Sequence, residues 1–149
     1  MNVTFREARR EDVPVIVAML ADDALGAARE GTDLAPYLAA FDAMQEEGGN
    51  HLIVGEEDGR IVATYQLTFI SGLSLSAARR AQIESVRVAS DVRGAGLGAE
   101  MMRDAEARAR AAGCSLLQLT TNKSRDRAHA FYERIGFTAS HIGFKRSLD

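Results

Sequence analysis

Cysteine is almost missing from this sequence. The 149 residues hold one, Cys114, so the chain makes no intrachain disulfide and no zinc site that needs two or more of its own thiolates. Lysine is scarce too, 2 residues against 16 arginines, a compositional bias that carries little functional weight. An excess of positive charge is also absent. The 18 basic residues face 21 acidic ones, for a net charge of −3, which argues against a broad nucleic-acid footprint and leaves room only for a local basic patch. No apolar run approaches the roughly 20 residues that cross a bilayer. The opening Met1-Asn2-Val3-Thr4-Phe5-Arg6-Glu7 does not follow the charged-then-apolar order of a signal peptide. No internal repeat or low-complexity linker is visible. The expectation is a cytoplasmic protein in a reducing compartment, with no nucleic-acid and no membrane partner.

What is present suits one globular domain over residues 1–149. Hydrophobic residues make up 46% and charged residues 26%, and a chain this long buries roughly 70% of its unfolded surface. Val3 and Phe5 alternate with polar neighbours in a first strand, 2–8. Val13, Ile16, Val17 and Leu20 repeat at helical spacing behind Glu11, Asp12 and Pro14. Segment 21–33 stays unassigned, and a second helix covers 35–46. Two strands, 51–57 and 60–70, flank Asp58-Gly59, a two-residue hairpin signal. A Ser/Gly-rich loop, 71–78, leads to a strand at 80–89. A helix at 99–112 carries Leu97, Met101, Ala105 and Ala109 on one face, with Asp104–Arg108 and Glu106–Arg110 as i, i+4 pairs. A strand at 115–121 and a helix at 125–135 follow, the latter with Ala128, Phe131, Tyr132 and Ile135 on one stripe. Short strands around 137–138 and 142–148 close the chain. The predicted order is β α α β β β α β α β β, an α/β mixed sheet with hairpins on one side and a βαβ crossover on the other.

The stretch Arg93-Gly94-Ala95-Gly96-Leu97-Gly98 lies between a predicted strand and a predicted helix. Alternating glycines permit a tight turn that exposes backbone N–H groups, the helix adds its positive end, and Arg93 adds a full charge. That combination suits a phosphate or pyrophosphate; the plainer alternative is a turn that binds nothing. Gly94-x-Gly96-x-x-Ala99 formally meets the dinucleotide fingerprint, but no acid stands about 20 residues on to hold a ribose, since Gln118–Asn122 fills that place. The triphosphate loop is excluded, because no Gly-Lys-Ser/Thr occurs.

Arg93-x-x-Gly96-x-Gly98 resembles the Arg/Gln-x-x-Gly-x-Gly/Ala acyl-CoA signature of the GNAT superfamily of N-acetyltransferases. Ile83-Glu84-Ser85-Val86-Arg87-Val88 resembles that family's fourth strand, and Phe131-Tyr132-Glu133-Arg134-Ile135-Gly136-Phe137 its Phe/Leu-Tyr-x-x-x-Gly-Phe element. The run 120–148, with His129 and Ser140-His141, is similar to a small-molecule branch that includes aminoalkylphosphonate acetyltransferases. The resemblance implies acetyl-CoA as co-substrate, its pantetheine arm along Val86, Arg87 and Val88, and its pyrophosphate on Arg93, Gly94, Ala95, Gly96, Leu97, Gly98 and Ala99. The family's usual Asn is replaced by Arg125. Either Asn122 takes over its hydrogen bond or Arg125 contacts a CoA phosphate, and the sequence leaves both open. Homodimerisation is a further family expectation, and no metal is implied.

The implied reaction moves an acetyl group from a thioester to an amine. The amine must lose a proton and the departing thiolate must gain one. Tyr132 matches the family's general acid, a phenol that stays protonated at neutral pH because its ordinary pKa is about 10; the alternative is a core tyrosine. Glu84 is the base candidate. Two residues before Val86, it is expected on the same sheet face as Val86; it could instead be a solvated strand carboxylate, or a partner for Arg80 or Arg87. His141 and His129 are rival bases. The N–H of Val86 could polarise the acetyl carbonyl. Cys114, behind a helix-ending glycine, is expected to be buried and inert. Acceptor choice falls to 21–46, to loop 71–78 and to the region of His141. Asp22, Asp23, Glu30 and Asp33 could attract a cationic amine, and Arg79 and Arg80 could hold an anionic substrate. A protein or peptide N-acetyltransferase and a non-catalytic CoA-binding module are the alternatives to a small-molecule enzyme.

Overall fold

The computed structural model describes residues 2–23 and 25–149. Met1, where the N-terminal reading begins, and Ala24, inside segment 21–33, lie outside them. Two compact units make up the chain, Met1–Gln118 and Leu119–Asp149.

The first unit opens with β1 (Thr4–Glu7), a 3-10 turn at Arg10–Asp12, α1 (Val13–Ala21), α2 (Gly26–Arg29) and α3 (Ala35–Glu46). Pro14 and Pro36 sit in the first turns of α1 and α3, where a missing N–H costs nothing. β2 (Asn50–Glu57) and β3 (Arg60–Ile70) follow, then α4 (Ser74–Ala77), β4 (Arg80–Val88) and a 3-10 turn at Ser90–Val92. The last elements here are α5 (Leu97–Ala111) and β5 (Leu116–Leu119). The strands lie in the order β1-β2-β3-β4-β5, antiparallel from β1 to β4. The bond from Ser115 N–H to Arg79 O and the contact of Gln118 with Gln82 advance together along β5 and β4, as in a parallel pair joined by a helical crossover.

The β2–β3 hairpin turns on Asp58 (φ 50°) and Gly59 (φ 79°), both left-handed, as a two-residue primed turn requires. β3 supplies the centre of the core, with Ala63, Tyr65 and Leu67 at 0% exposure. On one side of the sheet, Val13 and Val17 of α1 meet Phe41 of α3, with Leu38 and Leu52 packed against them. On the other lies α5, which buries Leu97, Met101, Ala105 and Ala109, the predicted stripe. The pair Asp104–Arg108 does more than brace its helix. Asp104 accepts the Tyr65 hydroxyl at 2.5 Å, and Arg108 reaches the Phe5 carbonyl at 3.2 Å. Burial and the Asp104 carboxylate push the Tyr65 phenol well above its ordinary range. A second, partly buried tie holds β1: Arg6 donates to Asp12 at 2.8 Å and to Glu56 at 3.3 Å.

β4 breaks its own alternation. Glu84 faces Gln66 and Arg87 faces Thr64, so two residues of β4, Ser85 and Val86, oppose Tyr65 alone. Ser85 takes the left-handed conformation (φ 54°), and the strand carries a β-bulge. Facing residues share a side of the sheet. Glu84 therefore stands with Gln66, Thr64 and Arg87, while Val86 and Val88 stand with Tyr65 and Ala63. The expected shared face of Glu84 and Val86 is thereby corrected, because the inserted residue shifts the two-residue period by one.

The second unit begins at the last residue of β5 and contains α6 (Asp126–Arg134). Ala128, Phe131, Tyr132 and Ile135 are half-buried, as the stripe predicts, and so is His129 beside them. The α/β class and the order from β1 to α6 agree with expectation, with the short α2 and α4 added. The two closing strands do not form, and residues 135–149 carry no strand. Ile142, Phe144 and Leu148 alternate correctly but are 70%, 92% and 94% exposed. Alternation provides two side-chain faces; a strand also needs a ladder partner.

Candidate active site

Between Val92 and Leu97 the chain makes the turn that the glycines predict. Gly94 (φ 86°) and Gly96 (φ 80°) are left-handed, and a Cβ at either would meet no atom within 4 Å. Their need for glycine is conformational rather than steric. Gly96 caps α5, and Leu97 starts a helix of 15 residues. The first-turn N–H groups of such a helix have no intrahelical acceptors and carry the positive end of its dipole. They fit an anion with several oxygens, and the pyrophosphate of a nucleotide thioester is one.

Arg93 is less free than the sequence implies. Its Nε donates to Val88 O at 3.1 Å and its Nη2 to Asp22 O at 3.0 Å, with the Asp22 carboxylate 3.8 Å away. The guanidinium thus ties the turn to the end of β4 and to the loop after α1. Asp23 is engaged beside it. One of its oxygens accepts from the N–H groups of Leu25 and Gly26, both at 2.8 Å, and the other lies 2.8 Å from Nε of Arg87. Both side chains of that ion pair are largely buried, at 11% and 15% exposure. Gly26 is required for the approach, since a Cβ there would lie 1.8 Å from the Leu20 carbonyl oxygen. The remaining two acids have work as well: Glu30 accepts from the Tyr37 hydroxyl at 2.9 Å, and Asp33 from Ala35 N–H at 3.1 Å. All four carboxylates read as attractors of a cationic amine have partners inside the chain.

Glu84 is exposed on the face that also bears Gln66 and Gln82. Arg87 donates to the Val86 carbonyl at 2.9 Å. Arg79 lies over the Phe69 ring at 5.6 Å and donates to the Ser71 hydroxyl at 2.9 Å. Cys114 is half-buried rather than buried, because it closes the turn after α5 with its N–H on Ala109 O.

In the second unit, Tyr132 is held edge-on by two rings, Phe131 at 5.2 Å and Phe137 at 5.7 Å. The Phe137 N–H returns to the Tyr132 carbonyl at 2.9 Å. Asn122 opens α6. Its side chain accepts from the Ser124 N–H and hydroxyl at 3.0 and 2.7 Å. Its carbonyl accepts from Arg125 N–H at 3.0 Å and pairs with Nε2 of His129 at 2.9 Å. His129 therefore serves the entry to the helix. His141 pairs with the hydroxyl of its neighbour Ser140 at 2.7 Å. Among the described residues no cluster suits a metal ion, and no helix is long and apolar enough to cross a membrane.

The acetyltransferase (GNAT) family matches residues 16–137, from α1 to the end of the ring cluster. The chain belongs to that family. Its GNAT relatives include the aminoalkylphosphonate N-acetyltransferase of Salmonella typhimurium strain LT2, 39% identical over 67 residues, which are 45% of this chain and 44% of that enzyme. The match thus spans less than half the length of that relative. Among solved structures, a protein of Bacillus halodurans C-125 described as a transcriptional regulator superposes with a TM-score of 0.94. It is 42% identical, over 99% of this chain and 100% of that one. An acetyltransferase of Trypanosoma brucei reaches 0.81 at 25% identity, over 99% and 100%.

For a GNAT chain, the first unit gathers the expected Glu84, Val86, Arg87, Val88 and the turn 93–99 on β4 and the start of α5. The second holds Asn122, Arg125 and Tyr132 on and before α6. Sequence reasoning missed Ser85 as the bulge residue and Asp23 as a clasp. Nothing in the sequence marks a serine as left-handed. Asp23 did carry a signal, an aspartate three residues before the glycine of a short helix.

Proposed function

We propose that this chain transfers an acetyl group from acetyl-CoA to a primary amine of a small molecule, as one domain over residues 1–149. The observation that carries the reading is the left-handed glycine turn set at the N-terminus of α5 within the family's Arg-x-x-Gly-x-Gly pattern. The first-turn N–H groups, with Gly94, Ala95, Gly96 and Gly98, hold the pyrophosphate, and the backbone of Val86–Val88 takes the pantetheine arm. Either Asn122 makes the hydrogen bond of the family Asn, or Arg125 contacts a CoA phosphate. The thioester supplies an activated acetyl group. Glu84 takes the proton from the amine, directly or through a water, and the Val86 N–H steadies the negative charge that grows on the acetyl oxygen. Tyr132 gives its proton to the departing thiolate.

The curated relative acts on an aminoalkylphosphonate by its name, and Arg79 and Arg80 are the cations we assign to an acceptor's anionic group. Calorimetric titration should show acetyl-CoA binding in the micromolar range, and thiol release should follow when (2-aminoethyl)phosphonate is added. Absence of heat with any acyl-CoA would sink the reading. Turnover of peptides in preference to free amines would replace the acceptor class. A second reading, a non-catalytic CoA-binding module, draws on the regulator name of the Bacillus halodurans structure. Its mark is tight CoA binding without thiol release. Self-association as a homodimer, expected from the family likeness, is read by sedimentation.

A further inference from the structure

Glu84 stands at the end of a hydrogen-bond chain built by the sheet. Gln82 and Glu84 precede the bulge and are two residues apart, so their side chains rise from one face. Nε2 of Gln82 donates to Oε1 of Glu84 at 3.1 Å. From β5, Nε2 of Gln118 donates to Oε1 of Gln82 at 2.8 Å. The end of the chain dictates its polarity, because an ionised carboxylate only accepts. Gln82 must turn its NH2 toward Glu84, its carbonyl is left to accept, and Gln118 meets that carbonyl with its own NH2. Gln66, which faces Glu84 across the strand pair, is committed elsewhere. It donates to Asn50 at 2.9 Å, and Asn50 donates to Glu47 at 2.8 Å.

We infer that Gln82, backed by Gln118, is a positioning residue for Glu84. An exposed glutamate otherwise samples several rotamers. The Gln82 amide fixes one carboxylate oxygen and leaves Oε2 as the one that meets the amine. The inference rests on the reading of Glu84 as the base, and its test separates the two. Gln82→Leu, Glu84→Gln and the double variant of the full chain are assayed by thiol release with acetyl-CoA and (2-aminoethyl)phosphonate. Gln82→Leu should lower kcat about three- to tenfold, the scale of one ordinary, solvent-exposed hydrogen bond, with KM for acetyl-CoA unchanged. That loss should vanish in the Glu84→Gln background, because coupled residues are not additive. A loss of equal size in both backgrounds overturns the inference. Side-chain amide NMR reads the chain without turnover. The Gln82 NH2 signals should move in Glu84→Gln, and those of Gln118 in Gln82→Leu. Unmoved signals also overturn it. If they move while the wild-type chain releases no thiol with any amine, the orienting chain stands and the acetyl-transfer reading alone falls.

Discussion

In the first unit, Ile53, Val54, Ala63, Tyr65 and Leu67 have no exposure at all, and a sheet built on them places Glu84, Val86 and the glycine turn. In the second, α6 buries no residue, and Tyr132 is held by two half-buried rings and a helix-ending turn. On the proposed reading the first unit contributes a bulged strand, a helix N-terminus and the Glu84 carboxylate. On the same reading the second contributes the Tyr132 hydroxyl and a cofactor contact from Asn122 or Arg125. Substitutions in the buried sheet of the first should act through folding and those in its glycine turn through binding, while those at Gln82, Glu84 and Tyr132 should act through the chemical step.

The largest expected effect is on the buried sheet. Ile53→Ala should cost about 3 kcal/mol by urea unfolding, as cavity-forming changes do, whereas Phe131→Ala on α6 should cost about 1 kcal/mol. Equal costs would erase the contrast. Next comes Asp12→Asn, at about 2 kcal/mol, the scale of a carboxylate removed from a partly buried ion pair. Burial works to raise the Asp12 carboxyl, but the Arg6 guanidinium and the Arg9 N–H together hold it below its ordinary value of 3.8. A group with a depressed folded value contributes stability above its unfolded value and loses it as pH falls through the folded one. The wild-type chain should therefore weaken as pH drops below about 4, and the Asp12→Asn variant should weaken less over that range.

Tyr132→Phe is the clean test of the second unit. It should slow turnover tenfold or more, about 1.4 kcal/mol in the barrier, with acetyl-CoA affinity and melting temperature unchanged. Unchanged turnover removes the acid assignment. Smallest is Gly96→Ala. The space around it is open, so the cost is that of a left-handed non-glycine residue alone, about 1 kcal/mol. A weaker heat of acetyl-CoA binding should accompany it.

How much of this was legible depends on how local each feature is. The hairpin at Asp58-Gly59, the stripe of α5 and the turn at Gly94–Gly96 each rest on neighbouring residues, and each can be read from spacing. The bulge at Ser85 is not local. It reflects the register between β3 and β4, and the sequence Glu84-Ser85-Val86 alternates as well without it. The acids after α1 suggest an acidic lure until their partners, Arg87 and Arg93 from 60 or more positions away, come into view. The closing strands fail for a related reason, since Ile142, Phe144 and Leu148 describe the faces of a strand and say nothing about its neighbour. Within the candidate site, the glycine turn was readable from spacing, while the side of the sheet on which Glu84 stands was not.

The bulge also separates two properties that strands normally link. In a regular strand, removing one residue exchanges the two sides for everything beyond the cut. Here the pairs Gln66–Glu84 and Thr64–Arg87 already have the spacing they would keep if Ser85 were deleted. A chain without Ser85 should hold Glu84, Val86 and Arg87 on their present sides and straighten between them, losing only the spare peptide opposite Tyr65. That single deletion would ask of the protein a question no side-chain change can ask: whether its chemistry depends on the parity of the strand or on the kink.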